Sequence, residues 1–154
     1  MKKIIISPFS RVISAGKNPK NYPYWNEVVK ELKDRGYYII QIGNFGEEKI
    51  PLVDEYVFGR SLEELEALTY SSDAWLSVDN FYQHFCHFLG IPGIVIFGYS
   101  DPEVFGYKEN KNLLKSREYL RPFQFQTWNE IPYSEGVFVK PEIVINEIIS
   151  MVEV

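Results

Sequence analysis

Three side chains able to grip a phosphorylated or hydroxylated ligand crowd the end of one short apolar run. Asp79, Asn80 and His84 follow Ala74–Val78 directly. Asp and Asn are residues that open helices, and the backbone N–H groups and dipole of a helix start favour an anion. Asp79 can cap that helix or bind a hydroxyl. His84, one turn past Asn80, can donate to a phosphate or sugar oxygen. A second polar group, Tyr99, Ser100 and Asp101, follows the next apolar run, Ile94–Phe97. Cations collect elsewhere, in the stretch from Pro8 to Asn21, which carries Arg11, Lys17 and Lys20. That stretch exceeds the usual βα connection of about two to six residues, and long loops after strands tend to be functional.

These groups meet only if the chain is wound into the right fold. Ala74–Val78 and Ile94–Phe97 read as buried strands, and residues 81–89 between them read as a helix, with Phe81, Phe85 and Phe88 at helical spacing and Gly90 and Pro92 ending it. Two buried strands joined by one helix require parallel pairing, and in open α/β sheets the ends of such strands border the ligand crevice. Lys3–Ser7 predicts a first strand. Pro23 predicts the first turn of a helix whose stripe is Trp25, Val28, Val29 and Leu32, stopped at Gly36. Residues 37–42 predict a second strand and 56–58 a short third. Ser61 with Glu64 forms a capping box opening a helix through about Ser71, with Leu62, Leu65 and Leu68 facing inward. Residues 105–139 are aromatic and largely irregular, with helix predicted only over 113–120. Pro141 opens a last helix, 141–153, with Ile143, Val144, Ile148 and Val152 as its apolar face. The whole of 1–154 is expected to form one domain, a single Rossmann-like, doubly wound parallel α/β sheet.

Composition narrows the chemistry. Of 154 residues, 45% are hydrophobic and 24% charged, which is globular usage. Aromatics at 16% suit a core of large side chains, or a surface that stacks on sugars or bases. A net charge of −5 without a basic run argues against a nucleic-acid partner. No apolar run reaches the roughly eighteen residues of a membrane span, and the first residues lack a signal peptide's longer apolar core, so a cytoplasmic protein is expected. The single Cys86 excludes an intrachain disulfide and reads as a buried thiol. His84, Cys86 and His87 do not share one helix face, so neither a metal site nor a cofactor is expected. P-loop, dinucleotide and nucleophile-elbow motifs are absent from the sequence.

The run Ser77-Val-Asp-Asn-Phe-Tyr-Gln-His84, followed by Leu89-Gly-Ile-Pro, by Phe97-Gly-Tyr-Ser-Asp-Pro102 and by Phe105-Gly-Tyr, resembles the donor-binding half of glycosyltransferase family 9, the ADP-heptose:lipopolysaccharide heptosyltransferases. Ser7-Pro-Phe-Ser10 with the Lys17/Lys20 loop, and Gly43–Glu47, resemble that half more weakly. The resemblance implies one Rossmann-like half of a GT-B enzyme and a nucleotide-sugar donor, an ADP-sugar or a UDP-sugar. Carried over by position, Asp79 holds the transferred sugar, in the catalytic position. Lys17 or Lys20, with Ser10 and Arg11, neutralises the diphosphate, and Glu47 accepts from the ribose hydroxyls. The amides of Asn80 and Phe81, with His84, hold the phosphates, and Ser100 and Asp101 belong to the loop beside them. Phe81 stands where the family commonly has glycine. The family's N-terminal half, with the acceptor site and general base, has no counterpart in this chain, so a separate acceptor-domain subunit or a homo-oligomer is expected to complete the cleft. Two other readings are a non-catalytic protein that sequesters a sugar nucleotide, and an interaction domain that has lost its ligand.

Overall fold

The computed structural model describes residues 1–153. Six strands pair in one parallel sheet of order β3-β2-β1-β4-β5-β6: β1 Lys3–Ser7, β2 Tyr38–Gly43, β3 Glu55–Phe58, β4 Ala74–Val78, β5 Ile94–Phe97 and β6 Lys111–Leu114. The helices are α1 Trp25–Asp34, α2 Leu62–Tyr70, α3 Phe81–Leu89, the single turn α4 Pro102–Phe105 and α5 Pro141–Val152. Among the described residues no helix is long and apolar enough to cross a membrane.

Strand periodicity divides the core into two layers. Ile4, Ile6, Ile39, Leu76, Val78, Ile94 and Ile96 face α1 and α5, whose Trp25, Val28, Val29, Leu32, Val144 and Ile148 close that side. Ile5, Ile40, Ile42, Trp75, Val95 and Phe97 face α2 and α3, through Leu65, Tyr82 and Cys86. Because the central strands are covered on both sides, they read as continuous apolar runs. Gly36 (φ 90°) and Gly90 (φ 77°) take the left-handed turns that end α1 and α3, and the capping box of Ser61 and Glu64 opens α2.

Several expectations need correction. Residues 111–114 are a sixth strand and 117–119 a 3-10 turn, where the pattern predicts helix over 113–120. Pro23 precedes α1, which starts at Trp25. On α3 the buried face is Tyr82, Gln83 and Cys86, while Phe81 and Phe88 are exposed at 54% and 86%. Aromatic rings at helical spacing mark a stripe, but they do not say which neighbouring stripe turns inward. Likewise Leu62 is exposed and Thr69 buried on α2, and Ile145 replaces Ile143 on the inner face of α5.

Candidate functional site

Strand order reverses between β1 and β4, so the crevice of this fold opens where those two strands end. Hydrogen bonds lace its floor. Asn80 is the N-cap of α3, its Oδ1 accepting from the Tyr82 N–H at 3.0 Å. Its Nδ2 donates across to Ser7 Oγ at 3.0 Å and to the carbonyls of Ser7 and Phe9, each at 3.2 Å. Ser10 Oγ donates to the Asp79 carbonyl at 3.0 Å, and the Ser10 N–H to Asn21 Oδ1 at 2.8 Å. Asn80, expected to share the capping role with Asp79, carries it alone. Its side chain is spent on architecture, and what the helix start leaves open is backbone N–H.

Above this floor lie two adjoining cavities of about 440 and 430 Å³. Both are bordered by Phe9, Ser10, Arg11, Asn44 and Glu47. The first runs over α3 to Asn80 and Phe81 and ends against Ile42, Leu62, Leu65 and Arg60. The second continues toward Lys17 and Asn18. Glu47 is placed with care: a Cβ at position 43 would lie 2.0 Å from its Oε2, so only glycine at Gly43 leaves the carboxylate its place. Burial raises the Glu47 pKa above the usual glutamate value, against a backbone hydrogen bond near Asn44 that lowers it.

Of the other expected residues, Lys17 borders the second cavity and the rest sit outside this opening. Asp79 is buried, its Oδ1 accepting from Gln83 Nε2 at 2.7 Å and its Oδ2 lying 3.9 Å from Lys20 Nζ. Desolvation lowers the Lys20 pKa; Asp79 pulls it up, while Arg121 and Arg11 push it further down. Lys17 is exposed, its Nζ 4.4 Å from the centre of the Tyr133 ring. His84 Nδ1 pairs with Tyr107 Oη at 2.6 Å, and His87 stacks on the same ring at 3.8 Å while contacting Glu109. Both imidazoles thus face the 106–109 loop, away from the residues bordering the two cavities. Ser100 is 1% exposed and its Oγ has no partner. Asp101 caps α4 and forms a two-point pair with Arg117 at 2.7 and 3.0 Å. That hydrogen-bonded guanidinium holds the Asp101 carboxyl below the usual range. Cys86 is fully buried, and burial pushes its thiol up to about 12, so it is not a nucleophile here.

Three polar residues near Asp79 escape a reading of the sequence. Gln83 sits four residues on from Asp79, a spacing that would have found it. Arg121 and Trp128 come from the irregular segment, where spacing carries no signal. The Arg121 guanidinium lies 3.8 Å from the Trp128 ring centre and donates to the carbonyls of Gln124 and Gln126.

The fold occurs in solved structures. E. coli ADP-heptose lipopolysaccharide heptosyltransferase II matches with a TM-score of 0.71 at 17% identity, over 99% of this chain and 46% of that one. A glycosyltransferase of family 9 from Veillonella parvula gives the same four values. An E. coli heptosyltransferase solved with ADP matches at 0.64 and 20% identity, over 97% of this chain and 43% of its own. The chain therefore spans less than half the length of these three structures, and the likeness is one of fold. No protein-family model matches the sequence, and neither does any curated protein.

Proposed function

We propose that the chain binds a sugar nucleotide, an ADP- or UDP-sugar, as the donor half of a GT-B glycosyltransferase, with the acceptor half supplied by a partner subunit or a second copy. The observation that carries this is the pair of cavities joined along Arg11 and Glu47 over the start of α3. A cation, a helix start and a carboxylate in that order match diphosphate and ribose. The shared fold supports the assignment, since one matching protein is named an ADP-heptose enzyme and another was solved with ADP. The reading places the protein in the cytoplasm.

In this scheme Glu47 accepts from the ribose hydroxyls, and the apolar end at Ile42, Leu62 and Leu65 takes the base. Arg11, Lys17 and the open amides at the start of α3 hold the diphosphate. As the glycosidic C–O bond breaks, negative charge grows on the leaving nucleoside diphosphate, and these donors stabilise it without having to reorganise. Asp79 serves the sugar. The carboxylates bordering the open cavities are Glu47 and Glu48. With Glu47 on the ribose, the base that deprotonates an acceptor hydroxyl comes from the other half. That same observation favours a second reading, a protein that holds a sugar nucleotide without turning it over.

Titration calorimetry with ADP, UDP, ADP-glucose and UDP-glucose tests the binding. Arg11→Ala combined with Lys17→Ala should weaken every one of them by at least about a hundredfold, the lower end for two charge-assisted hydrogen bonds. Folded wild-type protein that gives no heat with any of the four rejects both readings. Donor turnover by the purified chain separates the enzyme from the sequestering protein.

A further inference from the structure

The sugar end of the proposed donor has no open place: Asp79 is 7% exposed, and Lys20, its ion partner, lies against the Trp128 ring of the irregular segment. Among the buried polar atoms without partners in the described residues, three belong to this end of the crevice. Gln83 Oε1, Ser100 Oγ and Arg121 Nε belong to residues exposed at 0%, 1% and 6%. They form one neighbourhood. Gln83 Nε2 bonds Asp79, and the Arg121 N–H donates to the Tyr99 carbonyl beside Ser100. Buried polar atoms left unpaired are costly, and an acceptor, a hydroxyl and a donor grouped around a carboxylate and Lys20 suit a ligand rich in hydroxyls.

The cover has two parts. Residues 121–124 are anchored: Arg121 N–H and Gln124 Nε2 both reach the Tyr99 carbonyl, and Gln124 Oε1 takes the Asp101 N–H at 2.7 Å. Residues 125–133 are held from within where the Arg121 guanidinium donates to the Gln126 carbonyl, and otherwise largely by solvent-exposed contacts. Asn129 Oδ1 accepts from Ser14 Oγ and the Ala15 N–H, at 3.0 and 2.8 Å, and the Pro132 carbonyl accepts from Tyr99 Oη at 2.9 Å. Phe125 is 84% exposed. Segments with few buried apolar contacts and exposed hydrogen bonds open at low free-energy cost. Trp128 is the inward residue, between Arg121 and Lys20, whose Nζ lies 5.6 Å from its ring centre.

We infer that residues 125–133 are a flap over the glycosyl end of the donor site, and that Trp128 seals a compartment lined by Asp79, Gln83, Ser100 and Arg121 that receives the hydroxyl groups of the sugar. This rests on the sugar-nucleotide reading and extends it. The nucleotide enters the open cavities with the flap shut, while the sugar enters only once Trp128 has moved.

The test is to tie the flap down. Ser14→Cys with Asn129→Cys places two thiols where a hydrogen bond now joins loop and flap, and the native Cys86 is buried and does not compete. A short dithiol bridge such as dibromobimane then locks the flap, and thiol counting confirms closure. Bridged protein should bind ADP and UDP as the unbridged protein does, yet lose at least tenfold in affinity for ADP-glucose and UDP-glucose. Undiminished binding of both sugar nucleotides overturns the flap. Hydrogen exchange decides the motion without any ligand. Bridging should slow the hydrogen-bonded amides of Gln126, Glu130 and Ile131 at least tenfold, and unchanged exchange overturns the inference. Unbridged protein that ignores ADP and UDP refutes the nucleotide reading instead.

Discussion

Replacing Asn80 with alanine should damage the fold far more than an ordinary cap mutation. The side chain does two jobs: its oxygen caps α3, and its amide ties α3 to the end of β1 through Ser7 and Phe9. Loss of a cap costs about 1 kcal/mol. The Nδ2 group has two hydrogens, so at most two full bonds are lost among its three contacts, at about 1 kcal/mol each. The sum is roughly 3 kcal/mol, or about 6–12 °C in Tm for a chain of this size. Urea unfolding followed by circular dichroism measures it, with the m-value expected to stay constant. Asn80→Asp provides the control. It keeps the capping oxygen but sets a carboxylate against two carbonyl oxygens, so at neutral pH it should be no more stable than the alanine variant. That environment raises the folded-state pKa of the new carboxyl. Stability is therefore present below the ordinary Asp value of about 3.9 and lost as pH rises through the higher folded value. A loss below about 1 kcal/mol in Asn80→Ala would show that the tie to β1 contributes nothing and would undo this account of the crevice floor.

Three further outcomes follow from the site. Glu47→Gln should weaken nucleotide binding by roughly tenfold to a hundredfold, as expected for hydrogen bonds to a charged acceptor, without lowering stability at pH 7. The raised Glu47 pKa means that its contribution to stability is present at low pH and lost as pH rises through the folded value, so the neutral amide removes a cost; calorimetry and a melting curve together check both halves. Gly43→Ala, whose Cβ would take the place of the Glu47 carboxylate, should reproduce the binding loss of Glu47→Gln while barely moving Tm, because what must shift is the end of a flexible side chain. Arg117→Ala should lower the urea midpoint at neutral pH, with the difference fading as pH falls. Asp101 has a depressed folded pKa, so its stabilisation is present above about pH 4 and lost as pH falls through that lower value; a difference constant from pH 7 to pH 2.5 would refute the pairing.

The central strands and the helix stops are legible in the sequence for a simple reason. Strands covered on both faces need apolar residues throughout, and left-handed helix ends need glycine, so β1, β4, β5, Gly36 and Gly90 are written in residue type. Exposure is less legible. Phe81 and Phe88 read as core, but Tyr82 and Cys86 take the inner face of α3 because the sheet, not the helix, decides which stripe is covered. The strand at 111–114 is an edge strand with mixed burial, so it lacks the continuous apolar run that marks its neighbours. In the site, Arg11 stands out in the sequence as a cation in a long loop after a strand, while Glu47 is marked only by the family resemblance. Arg121 and Trp128 do not, because only tertiary folding brings the 115–140 segment back over β4 and β5.

A polar residue already satisfied by the fold can take a ligand only by giving up a partner, and that divides the motif residues of this chain. Asn80, Ser10 and Asp101 are held by two or more hydrogen bonds each, so in this chain they build the crevice. Arg11, Lys17 and Glu47 border the open cavities, Lys17 over the Tyr133 ring, and mutations there should change affinity with little change in stability. Asp79 belongs to neither class. Its carboxylate is paired with Gln83 and Lys20, yet Gln83 Oε1 on that same side chain has no partner, so a sugar hydroxyl would exchange one set of hydrogen bonds for a fuller one. Asp79→Asn, which keeps the size and one acceptor, should therefore leave bare-nucleotide binding intact and weaken only the sugar nucleotides. Equal losses for ADP and ADP-glucose would place Asp79 among the residues that merely build the crevice.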